Sequence, residues 1–263
     1  MAEFALSAEG LAHDFGRGRD GRRIAALSGV TFGVGIAEFV CIVGPTGCGK
    51  TTLLRILAGL MPAASGRVVI RTEAGDNRPA NAMVFQEHGL FPWMTVLENV
   101  AFALEDRISS RRDRERRAGA FLETVGLAAF ASAFPHELSV GMRQKAAIAR
   151  AFLRDPRVLL MDEPLAALDF QTRLLLREEL LKLWSGSRRA VVFVTHDIEE
   201  AVLLGDRLLV MTGRPGTIRE EIPVLLPRPR RIEDAAGPAA SEIKWRVWKI
   251  LEDEARQSLA SRT

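Results

Sequence analysis

Gly44-Pro45-Thr46-Gly47-Cys48-Gly49-Lys50-Thr51 fills the pattern G-x-x-x-x-G-K-[ST], and the residues on either side give it the setting it needs. Phe39-Val40-Cys41-Ile42-Val43 before it reads as a buried strand, and Thr52-Leu53-Leu54-Arg55-Ile56-Leu57-Ala58 after it reads as a helix. Between such elements, glycines allow successive backbone N–H groups to curl around a polyphosphate. The helix N-terminus adds partial positive charge, Lys50 reaches the terminal phosphates, and the Thr51 hydroxyl is a ligand for Mg²⁺. The stretch predicts a nucleoside triphosphate site formed by Gly44 through Thr52.

Working outward, 263 residues are enough for one or two domains with a sizeable core. Hydrophobic content of 48% and charged content of 26% are those of an ordinary globular protein. No apolar run approaches the ~20 residues that span a bilayer. The opening Met1-Ala2-Glu3-Phe4-Ala5 has no basic segment leading into an apolar one, so a secretory signal is not expected and the chain is placed in the cytoplasm. Net charge is +3. The densest basic cluster, Arg111, Arg112, Arg114, Arg116 and Arg117, is interleaved with Asp113 and Glu115 and contains no aromatic residue. That pattern reads as a solvated helix face rather than a nucleic-acid patch. The two cysteines, Cys41 in a core strand and Cys48 in the phosphate loop, fit reduced thiols.

Along the chain, Gly66 to Arg71 and Met83-Val84-Phe85 read as short strands, separated by a polar loop containing Gly75, Asp76, Asn77 and Pro79. From about Thr95 to Arg154 the periodicity is helical. Strands return at Val158–Met161 and Val191–Val194, with an amphipathic helix over roughly Gln171–Trp184 between them. Three apolar strands thus end in polar chemistry: the phosphate loop, Asp162-Glu163 and Thr195-His196. Ligands bind at the carboxyl ends of parallel strands, so the three sets are expected at one site. Asp162 orients Mg²⁺, and the adjacent Glu163 is the general base for the attacking water. Leu138-Ser139-Val140-Gly141-Met142-Arg143-Gln144 opens a long helix with Ser139 in the N-cap position, where an anion is also favoured.

Taken together these residues resemble the ATPases of ABC transporters, whose signature is commonly LSGGQ, and the resemblance runs over nearly the whole chain. Gln86 falls at that family's Q-loop glutamine, Leu168-Asp169 at its D-loop, His196 at its switch histidine and Phe15 at the aromatic that stacks on adenine. Phe85-Gln86-Glu87-His88, the segment Pro92–Val100, Gly141-Met142-Arg143-Gln144, Thr195 to Ala201, and Pro215-Gly216 with Pro227-Arg228-Pro229-Arg230 look like the nitrate/sulfonate/taurine importer subgroup. Val140 departs from the family, which has Gly there. A branched residue disfavours positive φ, so a slower hydrolysis is one expectation.

The resemblance implies an α/β P-loop NTPase core of RecA-like type, with an N-terminal antiparallel β-subdomain and an inserted helical subdomain. The expected divisions are 1–89 and 156–230 for the two parts of the core, 90–155 for the helical signature subdomain, and 231–263 for a C-terminal helical extension. Within that extension Trp245 and Trp248 are expected to serve ordinary packing. The resemblance further implies a head-to-tail dimer with ATP and Mg²⁺ between subunits. Gly44, Pro45, Thr46, Gly47, Cys48, Gly49, Lys50, Thr51, Thr52 and Phe15 would bind ATP in cis, and Ser139 and Gly141 in trans. Thr51, Asp162 and Gln86 would serve the metal, with Glu163, His196 and Gln86 in catalysis. Expected partners are integral-membrane permease subunits and, through them, an extracytoplasmic solute-binding protein, with no nucleic acid. The subunit would lie on the inner face of the cell membrane. Two alternatives stand beside the importer motor: a regulatory or scaffold subunit with little turnover, and a soluble non-transport ABC ATPase.

Overall fold

The structure, a computed structural model, describes residues 4–17, 23–72, 78–187 and 189–260. In chain order its elements are β1 (Phe4–Arg17), β2 (Arg23–Gly35), β3 (Phe39–Val43), α1 (Lys50–Leu57), β4 (Ser65–Ile70), β5 (Asn81–Val84), α2 (Val96–Ala101), α3 (Arg111–Thr124), α4 (Val140–Leu153), β6 (Val158–Asp162), α5 (Phe170–Ser185), β7 (Ala190–Thr195), α6 (Ile198–Leu204), β8 (Arg207–Thr212), β9 (Thr217–Pro223) and α7 (Pro238–Ala260). The polar-loop residues Gly75, Asp76 and Asn77 lie outside the described residues. The chain divides into two compact units, Met1–Thr72 with Ala190–Thr263, and Glu73–Arg189.

In the first unit β3 pairs in parallel with β7 on one side and β8 on the other, and β9 closes that edge antiparallel to β8. Every residue of β3 and β7 is buried. A parallel strand covered on both faces must be apolar throughout, which is why Phe39–Val43 and Ala190–Thr195 read as unbroken runs rather than alternating ones. A separate antiparallel sheet has the order β2-β1-β4. Here one face is buried, carrying Leu6, Ala8 and Leu11 from β1 and Val30, Phe32 and Val34 from β2. This is the antiparallel β-subdomain expected near the N-terminus.

In the second unit β5 and β6 pair in parallel. From Thr95 to Leu153 the described structure is helical. Val96, Val100, Ala118, Leu122, Leu127, Ala146 and Ala149 form its core. The alanines of α4 let its neighbours approach closely, and at Gly141 a Cβ would sit 2.7 Å from Thr172 Cγ2 of α5. The arginine cluster forms α3, where only Ala118 and Leu122 are buried. Its exposed ion pairs, Arg111 with Glu98 and Glu115 and Arg116 with Asp113, bear out the solvated-face reading. Such pairs add little stability.

The C-terminal extension forms α7. Its Trp245 and Trp248 do not enter a core. Their rings stack on each other at 4.9 Å while remaining 63% and 44% exposed, because a spacing of three puts both on one helix face.

Candidate functional site

The first unit brings the phosphate loop and His196 to the same sheet edge. Val43 of β3 is in register with Thr195 of β7, so Gly44 and His196 leave adjacent parallel strands at their carboxyl ends. Pro45, Thr46 and Gly47 are exposed, and the loop turns through left-handed glycines, Gly47 at φ 83° and Gly49 at φ 100°. Two glycines are also required by close approach. A Cβ on Gly44 would lie 2.3 Å from Met211 O, and one on Gly49 would lie 2.7 Å from Ala26 O.

Lys50 is only 5% exposed, and its ammonium donates to Gly44 O (2.8 Å) and Pro45 O (3.0 Å). Thr51 and Thr52 follow in the first turn of α1, both half-buried. The decisive feature is the start of α1. Helices α2, α3, α4, α5 and α6 each have a side chain accepting from a first-turn N–H: Thr95, Ser110, Ser139, Asp169 and Asp197. At α1 the N-cap is Gly49, with no side-chain cap. A helix start left uncapped beside a buried cation and an exposed glycine loop is a cradle for an anion.

The second unit brings Gln86, Asp162 and Glu163 together. Val84 of β5 pairs with Met161 of β6, so Phe85-Gln86 and Asp162-Glu163 run side by side off that edge. Gln86 is exposed, Asp162 is buried, and Glu163 is half-buried. Glu163 occupies the left-handed region at φ 43°. For a residue with a Cβ this costs about 1–2 kcal/mol, and such strain collects at functional positions. Within this unit, Asp162 and Gln86 carry oxygen donors of the kind Mg²⁺ takes, and in the first unit the Thr51 hydroxyl is a donor of the same kind.

Ser139 caps α4, accepting from Met142 N at 3.3 Å. Val140 is the first helical residue, and it is absent from the left-handed residues with side chains among the described ones, namely Ala37, His88, Asp155 and Glu163. The expectation that a branched residue strains this backbone is therefore not met, because the first turn of a helix has negative φ. Val140→Gly should leave the ATPase rate of the assembled complex within about twofold and lower the melting temperature slightly. Glycine in a helix costs about 0.5–1 kcal/mol and has no strain to relieve here. A several-fold faster Gly variant would show instead that the side chain crowds its neighbour.

Phe15 lies on β1, exposed, with its ring edge-on to His13 at 4.9 Å. Leu168 is buried, while Asp169 caps α5 through Thr172 N. The Thr172 hydroxyl, chiefly, and then this backbone N–H hold the Asp169 carboxyl below its ordinary range.

Three further residues support the sites in ways the sequence did not indicate, although His88 and Asn99 lie in segments that resemble the importer subgroup. Arg214, in the turn after β8, brings Nη2 to 3.5 Å from where a Gly47 Cβ would stand. Buried Asn99 organises the loop after Gln86. Its Oδ1 accepts from Phe91 N (2.8 Å), and its Nδ2 donates to the carbonyls of Phe91, Met94 and Thr95. His88 Nδ1 meets Gln144 Oε1 at 2.5 Å, joining that loop to α4. The spacing of Asn99 looks like any polar helix position. Arg150 Nη1 also donates to its Oδ1 (3.4 Å), and only the folded loop reveals these bonds.

Comparisons with known proteins agree with this geometry. The family profile described as ABC transporter matches residues 27–166. The chain is 44% identical over 241 residues to an uncharacterized ABC transporter ATP-binding protein, MJ0412, of Methanocaldococcus jannaschii, covering 91% of this chain and 89% of that one. It is 44% identical to the nitrate import ATP-binding protein NrtD of Synechocystis sp., over 78% and 77% of the two chains. Against the taurine import ATP-binding protein TauB of Rhizobium johnstonii the identity is 45%, over 76% and 77%. Among solved structures, the dimeric ATP-binding cassette MJ0796 in a post-hydrolysis state, bound to ADP and Pi, superposes with a TM-score of 0.73 at 32% identity. It covers 83% of this chain and 98% of that one.

Proposed function

This chain belongs to the ABC transporter family, and from that premise we propose how its residues divide the work of an importer's ATP-hydrolysing subunit. The observation that carries the reading is the uncapped start of α1 beside Lys50 and the left-handed glycines 47 and 49. ATP is the substrate. The loop amides and Lys50 hold its phosphates, with Phe15 stacking on the adenine. Thr51, Asp162 and Gln86 would hold Mg²⁺, which when bound neutralises charge on the transferring phosphoryl group. Glu163 takes the proton of the attacking water, and His196 stabilises charge developing on the γ-phosphate. In a head-to-tail dimer, Ser139 and the Gly141 amide of one copy reach the nucleotide held by the other. The dimeric cassette among the structural neighbours supports that assembly.

The solute is a small anion or zwitterion of the nitrate, sulfonate or taurine kind, moved through separate permease subunits after delivery by a solute-binding protein. No helix among the described residues is long and apolar enough to cross a membrane. The subunit is thus proposed to work at the inner membrane face through its partners. A groove of about 690 Å³ within the second unit supports a seat for a short permease helix. Phe85, Phe91 and Phe102 line it with Arg150, Arg154 and Asp106. It adjoins Gln86, so nucleotide state and permease contact are neighbours in the chain.

Phe91 packs on Trp93 and Phe102 under the Arg150 guanidinium, whereas Trp93 is 70% exposed. Trp93→Gln should therefore uncouple transport and weaken co-purification with the permease by on the order of tenfold, leaving ATP binding by the isolated subunit unchanged. Phe91→Gln should do the same with an added loss of stability. Loss of ATP binding in the Trp93 variant would show that this side chain is not an interface anchor. A subunit with little turnover had been suggested by Val140, and its helical backbone removes that ground.

A further inference from the structure

We propose that Arg228 and Arg230, in the tail beyond β9, are positioning residues for hydrolysis, completing the helix that follows His196 and so holding that corner in place. The proposal rests on the reading of His196 as the group that stabilises charge on the γ-phosphate. The helix in question is α6. Seven residues make fewer than two turns, too short to persist without help at both ends.

The N-terminal end is a closed circuit around His196. Thr195 Oγ1 donates to Glu200 Oε2 (2.5 Å) and accepts from Asp197 N (3.0 Å), while Asp197 Oδ1 accepts from Glu200 N (3.1 Å). Both Thr195 and Glu200 are buried. The residues on either side of His196 are thereby fixed by one another.

At the other end, the last four carbonyls of any helix lack partners within it. Here each finds one. Ala201 O accepts from Gly205 N (2.8 Å). Val202 O and Leu203 O accept from Arg230 Nη1, at 3.1 and 3.4 Å, and Leu204 O accepts from Arg228 Nη2 at 2.6 Å. Arg230 also donates to Gly205 O, Val224 O and Leu226 O, so one buried guanidinium joins the helix end to the chain leaving β9. A cation at a helix C-terminus is favoured by the helix dipole. Burial, chiefly, lowers the Arg230 pKa to about 10, which leaves it charged at neutral pH.

Asp206 carries the tie further. It accepts from Arg228 Nε (2.8 Å), and its other oxygen accepts from Phe39 N (2.9 Å), at the start of the strand that leads into the phosphate loop. The tail therefore pins the helix after His196 to the root of β3. Lysine cannot replace this function, because a single ammonium cannot span carbonyls on both segments.

The test uses the full-length chain, steady-state ATP hydrolysis with Mg²⁺, and mant-ADP binding as a separate readout of the phosphate loop. Arg230→Ala and Arg228→Ala should each lower kcat by on the order of tenfold or more, with mant-ADP affinity within about twofold of the parent. Arg230→Lys should be no better than Arg230→Ala, and millimolar guanidinium ion should restore much of the lost rate to Arg230→Ala alone. In a His196→Ala background, Arg230→Ala should lower the residual rate by less than about twofold, since residues acting through one group are not additive. Parent kcat in the arginine variants, equal losses in kcat and affinity, or full additivity with His196→Ala would each overturn the proposal. Should Arg230→Ala fail to fold, Arg228→Ala carries the same expectation and the same refutation from a partly buried position. A His196→Ala protein with parent kcat would instead sink the reading of His196 itself. His196→Ala impaired with both arginine variants normal would sink only the clamp.

Discussion

Glu163→Gln should hydrolyse ATP slower by on the order of 10²–10⁴-fold while binding it as well as the parent. A carboxamide keeps the size and hydrogen-bonding reach of the side chain but cannot take a proton from water. With hydrolysis blocked, the ATP-bound dimer should persist, and size-exclusion chromatography with and without ATP would display it. The backbone adds a second arm. Glu163 sits at φ 43°, where a side chain is strained and glycine is not. Glu163→Gly should therefore lose hydrolysis equally yet gain about 1 kcal/mol of stability, a rise in melting temperature of ~2–4 °C for a protein of this size. Glu163→Gln should melt with the parent. A Gln variant that turns over ATP at the parent rate removes Glu163 from the chemistry. A Gly variant that melts below the parent shows that the surroundings, not the residue, prefer this conformation.

The contrast between Glu163 and the strand before it shows what residue order can and cannot reveal. β3, β6 and β7 were legible because a parallel strand buried on both faces has no choice but to be apolar. The helix expected over Gln171–Trp184 forms over Phe170–Ser185, since its period and its Asp169 cap are both local signals. Conformation at one residue is different. Nothing in the letters Asp-Glu-Pro announces a left-handed glutamate, whereas Ser139 in the N-cap position already implied that Val140 opens a helix. Long-range polar ties were equally silent. Arg230 satisfies carbonyls 25 to 28 residues away, so its sequence neighbours hold no trace of the partnership. Asn99 acts over a shorter span, but its role depends on a loop shape that periodicity does not describe. The motifs located the chemistry, and the supports of that chemistry had to be found in the fold.

The phosphate loop offers a second large effect, because its glycines are not equivalent. Gly49 is the N-cap of α1, at φ 100°, and a Cβ there would stand 2.7 Å from Ala26 O and 2.9 Å from Leu27 Cδ2 on β2. Gly47 is also left-handed, at φ 83°, but a Cβ there meets only the Arg214 guanidinium at 3.5 Å, ordinary contact with a flexible side chain. Both Ala variants suffer the conformational cost of about 1–2 kcal/mol. Only Gly49→Ala must in addition push the loop away from the backbone of β2, and with it the uncapped first turn of α1. That movement turns the N–H groups away from the positions they share around a phosphate. Gly49→Ala should therefore weaken mant-ATP binding by on the order of a hundredfold or more and lower the melting temperature. Gly47→Ala should show a comparable strain penalty in melting but a smaller loss of affinity. Equal losses of affinity in the two variants would mean that positive φ alone governs the cradle. Parent-like binding by Gly49→Ala would show that the loop can withdraw from Ala26 without disturbing its amides, and the first turn of α1 would no longer explain nucleotide binding.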